Sequence, residues 1–178
     1  MPGPAIPVTD PLDLVALDTE RFVAGSGWDQ APRLFALVPT AELLKAQPEL
    51  VAGFTAADLA PGALAAVEQE DLPEHEGIEG LLHQIAWPDA VTGCALAIER
   101  LVVPPEAERD LPQEPAEALA ALAAHPERRD VRLLVAATRD GAQTCLLRQR
   151  AHDRDDQVAR GSDIAPGLVA ALRATFAG

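Results

Sequence analysis

The chain has 178 residues, 48% of them apolar but only 3% aromatic, with no Tyr, so its core must be built from Ala, Leu and Val around six rings. Its 28 acidic residues against 14 basic ones give a net charge of −14, which argues against a nucleic-acid scaffold or a binder of anionic membranes. No stretch approaches the roughly 18 consecutive apolar residues of a membrane-spanning helix, which excludes membrane insertion by that route.

In chain order, residues 1–9 are Pro-rich, without a basic segment or an apolar run. They read as a flexible tail rather than a signal peptide. Thr9-Asp10-Pro11 is a helix start, with a capping side chain before Pro. Leu12, Val15, Ala16, Thr19, Phe22 and Val23 then repeat at helical spacing and predict one buried face, ended by Gly25-Ser26-Gly27. Arg33 to Val38 reads as a short buried strand. Thr40 is placed to cap a brief helix, Ala41 to Gln47. Residues 48–80 are interrupted by Pro48, Gly53, Pro61, Gly62 and Pro73, and Ala63 to Leu72 fits a strand or a helical turn equally well.

Ile78, Leu81, Leu82 and Ile85 predict a short amphipathic helix stopped before Trp87-Pro88. The run Val91 to Val103 is the strongest strand signal. Cys94, Leu96 and Ile98 mark one face, and Gly93, Ala95 and Ala97 the other, small enough for a helix to approach closely. Residues 104–115 (PPEAERDLPQEP) lack periodicity and read as a Pro- and acid-rich surface loop. Ala116 to Ala124 is an Ala/Leu helix. Val131 to Thr138 and Gln143 to Arg150 flank Asp140-Gly141, the dipeptide favoured in type I′ hairpin turns. Ser162 or Asp163 is placed to cap a final helix carrying Ile164, Leu168, Ala171, Leu172, Thr175 and Phe176. This order predicts a single α+β domain spanning 1–178: a mostly antiparallel sheet of about four to five strands with helices packed on one face.

Charge is divided unevenly. Residues 1–127 carry 22 acidic and 5 basic side chains, and residues 128–178 carry 6 Asp and 9 Arg. Such a division either keeps separate solvated faces or holds two parts of one fold together. The Arg-rich end interleaves with Asp and has no aromatic residue beside it for base stacking, so it does not read as a nucleic-acid site.

The chemical motifs are sparse. Cys94 and Cys145 lie in strand-like runs without CxxC or Cys/His spacing and read as buried, reduced thiols. His152-Asp153-Arg154-Asp155-Asp156 is the densest polar cluster, and His152, Asp153, Asp155 and Asp156 are the candidate metal ligands. The cluster lacks the Gly and Glu spacing of a calcium loop, and Arg154 sits where it can neutralise its neighbours. No phosphate-binding loop, HExxH or nucleophile elbow occurs, and no cofactor is implied. Trp28 and Trp87, each beside a turn, are either rings closing the ends of the core or anchors of a binding surface.

The segments GWDQAPRLFALV (27–38), VEQEDLP (67–73), IAWPDAVTGCALAIERLVVP (85–104) and RAHDRDDQVARGSDIAPGLVAAL (150–172) resemble a family of uncharacterised, acidic, cytosolic actinobacterial proteins. The resemblance implies one cytoplasmic domain and transfers no catalytic residue. The expected function is a non-enzymatic protein-binding, adaptor or chaperone-like module, acting on a protein partner or as a homodimer. The alternative is a small metal-dependent enzyme or ligand-binding domain using the 152–156 loop.

Overall fold

Asp10 starts the first helix, α1 (Pro11–Ala24), by accepting the Leu12 and Asp13 amides at 3.0 and 3.2 Å, and Pro11 needs no amide partner in this first turn. The computed structural model describes residues 10–54, 59–70, 72–74, 77–161 and 164–176. The tail 1–9 and the Ser162 and Asp163 cap lie outside the described residues. Leu12, Val15, Ala16, Thr19 and Val23 are buried as their spacing predicts, but Glu20 joins them and Phe22 is 60% exposed. Glu20 goes inward because a buried cation awaits it, and Phe22 turns out against the ring edge of Phe35.

After α1 come β1 (Arg33–Pro39), α2 (Thr40–Ala46), a 3-10 turn at Pro48–Gly53 and β2 (Leu64–Glu68). The open segment therefore contains a strand, paired antiparallel to β1 from Phe35↔Glu68 to Pro39↔Leu64. Thr40 does not cap α2. It is the helix's first residue, and its buried hydroxyl has no hydrogen-bond partner among the described residues. Then follow α3 (Gly77–His83) and β3 (Gly93–Val102). The Pro-rich segment 104–115 is not wholly irregular, for α4 (Pro105–Arg109) forms within it and α5 (Pro115–Ala124) begins at its end. Proline supplies the first residue of both helices, the position where its missing N–H costs nothing.

The chain closes with β4 (Arg129–Thr138), β5 (Gln143–Gln149), β6 (Ala159–Gly161) and α6 (Pro166–Ala174). The β4–β5 turn is not type I′, which needs a positive φ at both Asp140 and Gly141. Only Gly141 has one (φ 101°). Asp140 instead uses its carboxylate to accept from the Thr138 hydroxyl and the Ala142 amide, which closes a three-residue loop with glycine at its left-handed position.

The six strands form one antiparallel sheet in the order β2-β1-β3-β4-β5-β6. The result is a single α+β domain with more strands than the sequence predicts, because β2 and β6 are short edge strands with little periodicity. Helices cover both faces rather than one. On one side α1 packs Leu12, Val15 and Ala16 onto Ala95, Ala97, Leu134 and Ala136. On the other, α3 and α6 bring Leu82, Leu168, Val169 and Leu172 to Cys94, Leu96, Leu133 and Val135. Two covered faces follow from the central strands, which are apolar at consecutive positions and so have no polar side to turn outward. Among the described residues no helix is long and apolar enough to cross a membrane.

Candidate functional site

Strand register lines up Glu99, Arg132 and Arg148 across β3, β4 and β5. This polar row faces the C-terminal end of α1, where Glu20 enters the core. The Arg148 guanidinium forks onto Glu20 at 2.8 and 2.6 Å, with both residues only 2% exposed. Its outer edge reaches Asp153 at 2.9 Å and Asp155 at 2.6 Å. Arg132, 1% exposed, donates to the Gly27 carbonyl, lies 3.3 Å from Glu99, and stacks 4.4 Å from the Trp28 ring centre. The Glu99 carboxylate in turn accepts the amides of Asp29 (2.8 Å) and Gln30 (3.0 Å). Asp29 adopts φ 66°, and Arg150 grips its carboxylate at 2.9 and 3.0 Å.

The uneven charge along the sequence is thus partly resolved inside the fold, since arginines of the last third meet carboxylates of the first. Arg148–Glu20, Arg150–Asp29 and Arg160–Asp13 each join residues more than one hundred positions apart. Of the three, the Arg148–Glu20 fork is buried and held strongly, whereas Arg150–Asp29 and Arg160–Asp13 are partly exposed and weaker. The indole of Trp28 and the Arg148 guanidinium pull the Asp153 carboxyl below its usual range, Trp28 having the larger effect. Arg150 does the same for Asp29. Glu20 drives the Arg148 pKa upward.

Of the candidate metal ligands, Asp153 and Asp155 therefore converge, but on Arg148. Asp156 pairs with Arg154 at 2.8 Å, and His152 is exposed. No group of three His, Cys, Asp or Glu placed to hold a metal occurs among the described residues. A guanidinium already occupies the centre that a cation would need.

Both tryptophans are tied inward. The Trp28 N–H donates to Asp153 at 3.0 Å, and Arg150 lies 5.7 Å from the ring. The Trp87 N–H donates to the Thr175 hydroxyl at 2.8 Å, with its ring 6.4 Å from Phe176. Arg139 fastens the Trp87 loop by donating to the carbonyls of Trp87, Pro88 and Val91. Beneath them, burial pushes the Cys94 thiol up to about 12, so it stays protonated and unreactive near neutral pH. Neither cysteine forms a disulfide, and both are buried.

Outside this interior network a groove of about 730 Å³ lies between α1, α2 and β2. Phe22, Leu50 and Val67, three of the seven exposed large apolar side chains among the described residues, line it. Its charged lining residues are Asp18, Glu68 and Glu70, all acidic. Phe22 is fixed there by Phe35 and by Arg33, which lies 5.0 Å over its ring and forks onto Glu68 at 2.8 and 2.6 Å.

The profile of the PPA1309-like protein family matches residues 12–177, nearly the whole chain. The chain belongs to that family. No curated protein and no solved structure matches it. The four segments carrying the sequence resemblance all fall within the PPA1309-like region. They contain Trp28, Asp29, Glu99, Arg150 and Asp153 of the network, whereas Glu20, Arg132 and Arg148 lie outside them. Sequence reasoning missed these three, and it also missed the groove. A buried Arg148 looks like any surface arginine until β5 is placed against α1, although its place on the same strand face as Leu146, two residues away, was an available signal.

The interior network gives this PPA1309-like domain an acid-sensitive clasp. Asp153 and Asp29 have lowered pKa values in the folded chain, so the unfolded state binds protons first as pH falls. Their stabilisation is full above the ordinary carboxylate value of 3.8 and is lost as pH drops through the depressed folded values. Both carboxylates are partly exposed, so the effect is modest: melting temperature is expected to fall slightly below about pH 4 and less in Asp153→Asn, when melting is followed from pH 6 to 3. Parallel curves for the two proteins would show that Asp153 does not carry the effect.

Proposed function

We propose that the chain is a cytoplasmic, non-enzymatic protein-binding module that receives an extended, basic and apolar segment of a partner protein in the groove between α1, α2 and β2. The observation that carries this reading is the convergence of Phe22, Leu50 and Val67 on one acidic groove. An exposed aromatic ring whose orientation is already fixed loses little entropy on contact, which is the character of a binding anchor. All five residues of β2 line the groove. Successive strand side chains point to opposite faces, so the groove runs along the outer edge of this terminal strand, where a partner segment can add by backbone pairing. The acidic lining and the net −17 of residues 1–127 favour Lys and Arg in that segment and disfavour nucleic acid.

This places the contact away from Trp28 and Trp87, whose donors serve the interior. The enzyme alternative has less support, since the carboxylates of the 152–156 loop are engaged by arginines. Capture from a native lysate with the wild-type chain and with Val67→Arg/Leu50→Arg tests the reading. A stoichiometric companion that salt releases, and that the double variant retains at least tenfold more weakly with unchanged melting, is the expected result. Equal retention by both proteins would overturn it, as would a homodimer with no companion.

A further inference from the structure

A second groove lies on the opposite face of the sheet, beside α3 and α6. A 10-residue strand such as β4 extends about 33 Å. The helices covering this face, α3 with seven residues and α6 with nine, reach only about 10 and 13 Å. They leave a groove of about 640 Å³ where β3, β4 and β5 run out beyond them, within the size range of small-molecule sites. Val131, Leu133 and Leu147 form its floor, and Ile78 and Leu168 stand at its sides.

We propose that this groove binds a fatty carboxylate, with Arg100 holding the head group and the aliphatic walls holding the chain. Among the described residues the lining has no aromatic side chain and no uncharged hydrogen-bonding side chain. Its polar side chains among the described residues are Arg100 and Glu79. A sugar, nucleotide or peptide would bury polar groups there without partners, which is costly, whereas an unbranched alkyl chain asks for none.

Arg100 supplies the second half of the match. Arg33 on β1, Arg132 on β4, Arg148 on β5 and Arg160 on β6 each hold a carboxylate of the chain itself. Arg100 on β3 is exposed and, like Arg129 at the start of β4, has no ion-pair partner among the described residues, but of these two only Arg100 lines the groove. A guanidinium on a rigid strand at the rim of an aliphatic groove is suited to a forked contact with a carboxylate. Glu79 stands at the same rim on the short helix α3 and would repel that head if it were close, so the sign of the ligand's charge is the decisive variable.

Calorimetric titration with dodecanoate, and with dodecyltrimethylammonium as the opposite charge on the same chain, separates these cases. Saturable one-to-one binding of dodecanoate is expected, with the ammonium compound at least about tenfold weaker. Arg100→Gln should weaken dodecanoate roughly tenfold or more. Val102→Asp, at an exposed position of the lining, should weaken it similarly, with unchanged melting in both variants. Equal binding of the two amphiphiles, no binding of dodecanoate, or indifference to Arg100→Gln would overturn the proposal. Val67→Arg/Leu50→Arg should bind dodecanoate like the wild type, so this site and the partner groove stand or fall separately.

Discussion

Arg148→Ala is expected to lower stability by about 3–5 kcal/mol, a large fraction of the 5–15 kcal/mol available to an ordinary domain. The cause is less the loss of an attraction than what remains behind. Glu20, 2% exposed, would keep a carboxylate in the core with its forked donor gone. Asp153 and Asp155 would lose the same guanidinium. For a domain of this size the change corresponds to a fall in melting temperature of roughly 6–20 °C. Replacing both partners, Glu20→Leu with Arg148→Met, is expected to recover most of the loss, since an apolar pair of similar volume avoids the desolvation that the ion pair must offset. Chemical denaturation of the two proteins checks this. A loss below about 1 kcal/mol for Arg148→Ala would mean that the pair is solvated, as surface pairs are.

The fold was legible where local chemistry and periodicity agree. Asp10-Pro11 names the start of α1 because capping and the absence of a proline amide act within four residues. The alternation of Cys94, Leu96 and Ile98 with Ala95 and Ala97 places β3, and the small side does receive a helix, α1. The covering of both faces was written in the same run, as consecutive apolar positions in β3 and β4, but a buried strand of this kind gives no period that separates one helix layer from two. β2 could not be assigned because Leu64-Ala65-Ala66-Val67 suits either secondary structure until β1 offers its edge. Thr40 and Asp140 show the limit of short motifs. Each has the residue type for the expected role, and tertiary packing used it differently.

The interior network was less legible for a related reason. A charged residue is ordinarily exposed, and nothing local to Glu20 or Arg148 says otherwise. Their burial depends on a meeting across 128 positions. The uneven distribution of charge along the chain was the trace of that meeting, visible as a sum but not as pairs. Trp28 stood out in the sequence as one of two tryptophans beside turns. Its surroundings, Arg132 on its ring and Asp153 on its N–H, come from two other parts of the chain and make it part of the clasp.

Leu134→Ala is expected to cost about 3–5 kcal/mol, and Leu147→Ala only about 1 kcal/mol, although both delete the same atoms from adjacent strands. Leu134 is fully buried on the α1 side, with Ala97 and Leu146 as its strand partners and Ala136 on the same face. Small residues around it bring α1 close, so a large side chain removed there leaves a hole that only movement of α1 could fill. That movement is opposed at one end of the helix by the Glu20–Arg148 fork and near the other by Asp13 pairing with Arg160. The residual cavity sets the cost above simple transfer. Leu147 is half-buried at the floor of the open groove on the other face, where the deleted volume joins space already open to solvent. Urea denaturation of both variants at neutral pH measures the contrast. Equal losses would mean that α1 settles onto the sheet as easily as solvent fills the groove, and that the charged clasp does not hold the helix in place.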